Sequence, residues 1–164
     1  MNETPTSTLT LTLALAKGLQ RNGLCMAAAE SCTGGLIAAA CTALAGSSNW
    51  FERGFVTYSN AAKTDLLGVP PALIAAHGAV SEEVARAMAQ GALTHAPVQL
   101  AVAVTGIAGP GGAVAGKPVG TVWLAWGRAD DLRAECLHLS GDRAAVRETT
   151  VQAALQRLVA MVSL

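Results

Sequence analysis

Residues 25–36 (CMAAAESCTGGL) constrain the fold most, because a short apolar run stops at Glu30 and Ser31 and a Gly-Gly pair then opens a second apolar run. The pattern predicts a strand, a tight turn and a helix. At such a turn Ser31 projects beyond the carboxyl end of the strand. We expect Thr33 to cap the helix and to leave its first backbone N–H groups facing the same spot. A nucleophile and a set of backbone N–H donors that can bind a negative charge would then lie within a few residues of each other. This turn is therefore the candidate centre of an active site.

Strands and helices alternate along the rest of the chain. Further strands are predicted over residues 54–58 and over 100–105, the latter a continuous apolar run typical of a buried parallel strand; runs at 120–126 and 132–139 suit an antiparallel hairpin. Helices are predicted over 8–21, 34–45, from 60 to the prolines at 70–71, over 71–76, 81–94 and 142–162. The helix at 34–45 is apolar on nearly every face and is expected to be buried, in the domain or at a subunit contact. The alternation predicts an α/β fold: a single three-layer α/β/α domain over residues 1–164 with a mixed, mainly parallel sheet.

The composition excludes several classes of function. The 164 residues are 52% hydrophobic with zero formal net charge. The chain therefore has no excess of positive charge that would attract nucleic acid or an anionic membrane. Residues 1–7 lack a basic segment followed by an apolar stretch, and no apolar run reaches the roughly 18 residues of a membrane span, so we expect a cytoplasmic protein with no membrane partner. Only 13% of the residues are charged, which favours a homodimer that covers apolar surface. The four cysteines have neither the spacing nor the His partners of a metal site.

Lys63 is the best candidate for a base that activates Ser31. A serine hydroxyl is a poor nucleophile until its proton is removed, and His or Lys commonly does this. No histidine follows a predicted strand end. If Asn60 caps the next helix, Lys63 falls in its first turn, where the helix dipole disfavours an ammonium and lowers the lysine pKa. Tyr58, at the end of the second strand, would relay a proton or align the lysine, and in a parallel sheet Ser31, Tyr58 and Thr105 would meet at one crevice.

Each of these residues also has a simpler interpretation. Ser31 can be a helix cap, Lys63 a solvated surface lysine and Tyr58 a half-buried strand residue. Cys32 is a rival nucleophile because a helix N-terminus lowers thiol pKa, although it lies one position past the strand end and is expected to point away from the crevice.

Two further segments suit an anionic ligand. The glycine-rich loop at residues 106–112 can expose consecutive backbone N–H groups as an anion nest, or it can be a plain turn. It lacks the patterns of ATP-binding and dinucleotide-binding loops, so we predict no such cofactor. Arg143 and Arg147 lie one helical turn apart at a helix start and can clamp a phosphate, or can pair with acidic neighbours at the surface.

Five spaced segments together resemble the CinA carboxy-terminal domain family, the stand-alone nicotinamide-nucleotide amidohydrolases. They are AESCTGG at 29–35, YSNAAK at 58–63, HGAVSEE at 77–83, VTGIAGPGG at 104–112 and GTV at 120–122, and they cover nearly the whole chain in family order. The resemblance implies hydrolysis of the carboxamide of nicotinamide mononucleotide to nicotinic acid mononucleotide and ammonia, in pyridine nucleotide salvage, by a homodimer without a metal or other cofactor. A ligand-binding or regulatory module on the same fold remains the alternative, and so does a hydrolase that uses Cys32.

The resemblance also implies roles for individual residues. Ser31 would be the nucleophile, Lys63 the base and Tyr58 its assistant. The implied substrate-binding residues are Glu30, Cys32, Thr33, Gly34, Thr105, Gly106, Gly109, Arg143 and Arg147.

Overall fold

A computed structural model describes residues 6–163 of the chain. Residues 1–5, on which part of the expectation about the amino terminus depends, lie outside the described residues. The helices are α1 (Thr8–Arg21), α2 (Leu36–Thr42), α3 (Asn60–Leu67), α4 (Pro71–His77), α5 (Glu82–His95) and α6 (Arg143–Val162). The strands are β1 (Met26–Glu30), β2 (Phe51–Val56), β3 (Leu100–Gly106), β4 (Thr121–Arg128) and β5 (Asp131–His138).

The five strands form one mixed sheet in the order β2-β1-β3-β4-β5. Strand β1 pairs in parallel with both β2 and β3, whereas β4 pairs antiparallel with β3 and β5. Four strands therefore run in one direction and only β4 opposes them. The predicted mixed, mainly parallel sheet and its antiparallel hairpin are confirmed.

Helices cover both faces of the sheet, which confirms the three layers. One face packs against α1, α2 and α6, with Met26 and Ala28 of β1 in that core. The other face packs against α3, α4 and α5, with Ala27 and Ala29 of the same strand. Successive residues of a strand point to opposite faces, so a strand buried on both sides must be apolar throughout. Every residue of β1 is indeed buried, and the first four are apolar; Glu30, at the end of the strand, is the exception and is hydrogen-bonded.

Two local predictions need correction. The strand predicted at 54–58 begins at Phe51 and ends at Val56, so Tyr58 lies in the following loop. The helix predicted at 34–45 spans only Leu36–Thr42. It starts late because Gly34 and Gly35 both adopt positive φ angles that a helix does not allow. Within the single chain this helix buries only Ile37 and Cys41, and Leu36 is 37% exposed, so the chain itself does not bury most of its faces; the predicted burial at a subunit contact stays a prediction. No helix in the described part of the chain is long and apolar enough to cross a membrane.

Candidate active site

A cavity of about 230 Å³ lies where β1, β2 and β3 end. Because these strands are parallel, their carboxyl ends meet at the same edge of the sheet, where open α/β proteins bind ligands. Ser31, Tyr58 and Thr105 all line this cavity, as the sequence pattern predicts. The lining residues are Ser31, Cys32, Tyr58, Asn60, Lys63, Ala79, Val80, Thr105, Gly106, Ala108 and Arg143.

A larger depression of about 490 Å³ lies between α3 and α4. Its lining is mainly apolar and shares only Asn60 with the smaller cavity. It contains no nucleophile beside a base, whereas the smaller cavity contains Ser31 and Lys63. The chemistry of the lining therefore identifies the smaller cavity as the candidate active site.

Ser31 is the first residue after β1 and is held firmly by the sheet. Its backbone N–H donates to the carbonyl of Val104 in the neighbouring strand at 3.0 Å. Its side chain lines the cavity although only 8% of the residue is exposed. The strand end thus fixes the position of the hydroxyl and still leaves it open to a small ligand.

Lys63 reaches the same point from α3, which is capped by Ser59 rather than by Asn60, the first residue of the helix. The Lys63 amine nitrogen Nζ lies 3.0 Å from Ser31 Oγ, 2.9 Å from the carbonyl oxygen of Thr57 and 3.4 Å from that of Tyr58. The residue is 1% exposed. None of its hydrogen-bond partners among the described residues is a carboxylate, so the amine is buried without an acidic counterion.

Burial lowers the pKa of Lys63 below its ordinary value, because an ammonium loses more from desolvation than a neutral amine. The nearby Cys32 thiol opposes this effect and raises the pKa. The sequence predicts this lowering from the positive end of the helix dipole; the structure adds burial as a cause that acts in the same direction.

The contacts of Lys63 also determine where its lone pair points. A neutral amine has two N–H bonds and one lone pair. The carbonyls of Thr57 and Tyr58 can only accept, so they use both N–H bonds. The lone pair is then left for the hydroxyl of Ser31, and the neutral amine is oriented to take its proton.

Glu30, not Thr33, caps the helix that follows Ser31. The Glu30 carboxylate is fully buried and accepts from the backbone N–H of Ile37 at 2.8 Å and of Ala38 at 3.1 Å. It also accepts from the Thr33 hydroxyl at 2.6 Å. The prediction that Thr33 caps α2 is wrong, because the positive φ angles at positions 34 and 35 delay the helix start. These two N–H groups of α2 are therefore bound by Glu30 and do not face a ligand.

Arg147 lies behind the same turn. Its Nε donates to the carbonyl of Cys32 at 3.1 Å, and its Nη2 donates to the carbonyl of Thr33 at 3.2 Å. Gly34 adopts φ +57°, and a Cβ added there would lie 3.5 Å from Arg147 Nη2. The structure thus places Arg147 on the backbone of the turn and outside the lining of the cavity.

Arg143, one helical turn earlier, does line the cavity. Its Nη1 donates to the carbonyl of Gly109 at 3.0 Å, and its Nη2 donates to the phenolic oxygen of Tyr58 at 3.2 Å. Tyr58 is 62% exposed, and it contacts Lys63 through its backbone carbonyl rather than its phenol. The expectation that the Tyr58 side chain aligns the lysine is therefore corrected: the phenol meets Arg143.

Thr105 and Gly106 complete the wall formed by β3. The Thr105 hydroxyl donates to the carbonyl of Ala79 at 2.8 Å and holds the loop before α5 against the strand end. A Cβ on Gly106 would lie 2.7 Å from Val122 Cγ2, so glycine here permits the close approach of β4. The two residues shape the cavity.

Cys32 also lines the cavity, but burial raises the pKa of its thiol to about 11. A thiol with that pKa is protonated at neutral pH, and the thiolate is the nucleophilic form. The chemistry of the site therefore favours Ser31 over Cys32.

The sequence-predicted ligand residues divide into two groups. Cys32, Thr105, Gly106 and Arg143 line the cavity. The structure places the others outside its lining: Glu30, Thr33, Gly34, Gly109 and Arg147. Except for Gly109, which orients Arg143, these residues form or hold the turn after β1.

Sequence reasoning missed four lining residues: Asn60, Ala79, Val80 and Ala108. All four lie in segments that carry the family resemblance: Asn60 in 58–63, Ala79 and Val80 in 77–83, and Ala108 in 104–112. Among residues 6–163, no three His, Cys, Asp or Glu side chains converge as metal ligands would.

Comparison with known proteins assigns the chain to a family. Residues 8–162 match the CinA C-terminal domain. A Pseudomonas putida protein named nicotinamide-nucleotide amidohydrolase PncC is 53% identical over 92% of this chain and 94% of its own length. A protein of the same name from Escherichia coli K12 is 51% identical over 88% of each chain. A CinA-like protein of Geobacter is 58% identical, and the matched region is 35% of that longer protein.

Solved structures agree with this assignment. The crystal structure of the competence/damage inducible protein CihA from Agrobacterium tumefaciens superposes with a TM-score of 0.92 at 44% identity, over 98% of this chain and 99% of that one. A competence damage-inducible protein A from Klebsiella pneumoniae gives a TM-score of 0.93 at 38% identity, over 96% and 98% of the two chains. The chain belongs to the CinA C-terminal domain family.

Proposed function

We propose that this chain hydrolyses the carboxamide of nicotinamide mononucleotide to nicotinic acid mononucleotide and ammonia, with Ser31 as nucleophile and Lys63 as base. Two relatives that match most of the chain are named nicotinamide-nucleotide amidohydrolases, which supports the substrate class. The observation that carries the mechanism is the 3.0 Å separation of Lys63 Nζ from Ser31 Oγ in a cavity at the end of the sheet.

The first half of the reaction forms an acyl-enzyme. Ser31 Oγ attacks the carboxamide carbon while its proton passes to the lone pair of Lys63. Lys63 then gives this proton to the nitrogen of the tetrahedral intermediate, the C–N bond breaks, and ammonia leaves. The amine returns to its neutral form, which its buried position favours.

The second half releases the acid. A water molecule takes the place of ammonia, gives a proton to Lys63 and attacks the acyl carbon. The ester bond to Ser31 breaks, and the proton returns from Lys63 to Ser31 Oγ. The same amine thus serves as base and acid in both halves, so the mechanism balances without another protein group.

The backbone N–H of Cys32 is the proposed donor to the oxyanion. It immediately follows the proposed nucleophile, Cys32 lines the cavity, and among the described residues no backbone carbonyl accepts from this N–H. Donors fixed before the reaction stabilise a developing negative charge without reorganising, which is a large contribution in acyl transfer.

Arg143 is the proposed partner of the substrate phosphate. It is the one arginine in the lining of the cavity, and its guanidinium is held by Gly109 and Tyr58. Nicotinamide mononucleotide joins a cationic ring to an anionic phosphate. A neutral Lys63 beside the carboxamide tolerates the cationic ring, and Arg143 complements the phosphate at the exposed side.

The test is product formation by the purified chain. Incubation with nicotinamide mononucleotide should release ammonia and nicotinic acid mononucleotide in equal amounts, measured by an enzyme-coupled assay and by chromatography. Nicotinamide riboside, which lacks the phosphate, should react with a higher KM, and Arg143→Ala should reduce the difference between the two substrates. Binding of the mononucleotide without ammonia release would contradict the proposal and favour a ligand-binding module.

We also propose that the protein acts as a homodimer in cytoplasmic pyridine nucleotide salvage. Leu9 and Leu13 of α1 are 56% and 52% exposed, and α2 adds Leu36, so apolar surface remains uncovered in the single chain. Size-exclusion chromatography with light scattering should give twice the mass of one chain. A monomer at micromolar concentration would contradict this proposal.

A further inference from the structure

Arg143 and Arg147 lie one turn apart on α6, yet they contact different parts of the site. Arg143 reaches the cavity, whereas Arg147, among residues 6–163, donates only to the carbonyls of Cys32 and Thr33. A spacing of four residues on a helix suggests a pair that grips one phosphate. The contacts instead separate the two guanidinium groups, since both hydrogen bonds of Arg147 go to the turn that follows the nucleophile.

We propose that Arg147 is a positioning residue that fixes the peptide groups after Ser31, and that anion binding is left to Arg143. This inference rests on the proposed function for its kinetic consequences. It goes beyond the proposed function because it gives Arg147 a role in the rate of the reaction and none in holding the substrate.

The physical argument follows the planar peptide groups of the turn. In a trans peptide the C=O and the next N–H point in opposite directions, so holding one fixes the other. Arg147 Nη2 holds the carbonyl of Thr33, whose peptide group carries the N–H of Gly34. That N–H donates to the carbonyl of Ser31 at 3.1 Å.

The carbonyl of Ser31 belongs in turn to the peptide group that carries the N–H of Cys32. This is the proposed oxyanion donor. The guanidinium thus holds the Thr33–Gly34 peptide group, and the Gly34 N–H in turn holds the Ser31–Cys32 peptide group, which carries the N–H of Cys32. The second hydrogen bond, from Arg147 Nε to the carbonyl of Cys32, fixes the remaining plane of the turn, that of the Thr33 N–H.

The other side of the turn is held by Glu30, whose carboxylate accepts from the Thr33 hydroxyl. The turn therefore lies between a carboxylate that binds its side chain and a guanidinium that binds its carbonyls. Arginine suits this position because its planar fork can reach two carbonyls at once, whereas a lysine offers a point charge. Glycine at position 34 suits it too, because the turn requires a positive φ of +57° there, which glycine adopts readily.

The kinetic test compares Arg147→Lys and Arg147→Ala with the matched variants Arg143→Lys and Arg143→Ala. Loss of an oxyanion donor lowers kcat by about 100-fold to 1,000-fold, so a misplaced donor should lower it by about 10-fold to 100-fold. Both Arg147 variants should show this fall in kcat, with KM within about 3-fold of the unsubstituted chain. Arg143→Ala should instead raise KM by more than about 10-fold.

The same variants in a Ser31→Ala background separate binding from chemistry. Calorimetry with nicotinamide mononucleotide should give a Kd that Arg147→Ala leaves within about 3-fold and that Arg143→Ala raises. If Arg147→Ala does not fold, Arg147→Lys decides. Full kcat in Arg147→Lys would mean that only the charge matters and would overturn the proposal, as would a raised Kd in either Arg147 variant.

A readout without substrate keeps the inference separate from the proposed function. The Gly34 N–H is held by the carbonyl of Ser31, so its amide hydrogen exchange, followed by NMR, should accelerate at least about 10-fold in Arg147→Lys and stay unchanged in Arg143→Lys. Unchanged exchange at Gly34 in Arg147→Lys would overturn the positioning role. Accelerated exchange in a chain that neither binds nor hydrolyses the mononucleotide would support the positioning of the turn and contradict only the proposed substrate.

Discussion

The amine nitrogen of Lys63 lies 3.0 Å from the hydroxyl oxygen of Ser31, and both residues are buried at the carboxyl end of a parallel strand pair. The Lys63 amine has two backbone carbonyls as its other partners and no acidic neighbour among them. A lysine in this setting favours its neutral form. The arrangement therefore places a hydroxyl beside an amine that can take its proton, which is what the proposed mechanism requires.

Activity should rise with pH through the pKa of Lys63. Burial lowers this pKa below its ordinary value, and only the neutral amine can accept the proton of Ser31. The rate is therefore lost as pH falls through the lowered pKa and reaches a plateau above it. The measurement is kcat/KM for ammonia release from nicotinamide mononucleotide against pH, with circular dichroism at each pH to show that the protein stays folded.

The matched variants are Lys63→Met and Lys63→Arg. Lys63→Met should lower kcat by at least about 100-fold, because it removes the base. Lys63→Arg keeps a cation that cannot lose its proton near neutral pH, so it should be comparably inactive at every pH tested. A pH profile that falls as pH rises in the folded range would contradict the assignment of Lys63 as base.

Glu30→Gln should destabilise the fold. The buried carboxylate accepts three hydrogen bonds, from the Thr33 hydroxyl and from the N–H groups of Ile37 and Ala38. An amide NH₂ cannot accept, so at least one of these donors would lose its partner inside the protein, at a cost of about 1–3 kcal/mol. Urea denaturation with a fixed m-value measures the difference.

The control for this prediction is Glu148→Gln on the exposed side of α6. It makes the same chemical change at the surface and should alter the free energy of unfolding by less than about 0.5 kcal/mol. Equal effects of the two substitutions would show that the Glu30 carboxylate does not hold the start of α2.

Thr57→Val should leave the fold as stable or make it more stable, by up to about 1 kcal/mol. The Thr57 hydroxyl is buried and has no hydrogen-bond partner among the described residues. Valine has nearly the same shape as threonine and replaces a buried hydroxyl, which is no longer hydrated, with a methyl group. Thermal denaturation of the variant beside the unsubstituted chain tests this.

Thr33→Val is the matched comparison, since it removes a buried hydroxyl that donates to the Glu30 carboxylate. It should destabilise by about 1–3 kcal/mol. A Thr57→Val variant that loses as much stability as Thr33→Val would mean that the Thr57 hydroxyl has a partner, such as a buried water.

Thiol alkylation should not stop the reaction at neutral pH. Burial raises the pKa of Cys32 to about 11, so its thiol is protonated and reacts slowly. We expect iodoacetamide at pH 7 to leave activity intact, and Cys32→Ala to stay within about 10-fold of the unsubstituted chain in kcat. Rapid inactivation that Cys32→Ala prevents would support Cys32 as the nucleophile instead.

The layered fold follows from local sequence signals. The apolar run at residues 100–105 marks a strand buried on both faces, and Ser59 and Ser81 mark helix starts because their side chains bind the first N–H groups. The meeting of Ser31 and Lys63 follows from these elements, since parallel strands end at one edge of the sheet. These signals depend only on residues that are close together in the sequence, so they can be recognised without the structure.

The details of the turn depend on contacts that spacing does not reveal. Glu30 caps a helix that begins six residues later, whereas capping rules look for a residue next to the helix start. Arg143 and Arg147 look alike in sequence, and only the packing of α6 beside the turn directs Arg143 to the cavity and Arg147 to backbone carbonyls. Tyr58 follows a strand that ends two residues early, so its phenol meets Arg143.

Ammonia release by Ser31→Ala tests the central proposal most directly. The variant lacks only a hydroxyl, so we expect it to fold, to bind nicotinamide mononucleotide with a Kd close to that of the unsubstituted chain, and to release ammonia at no more than about one thousandth of the normal rate. Normal ammonia release from folded Ser31→Ala would contradict the proposal that Ser31 is the nucleophile.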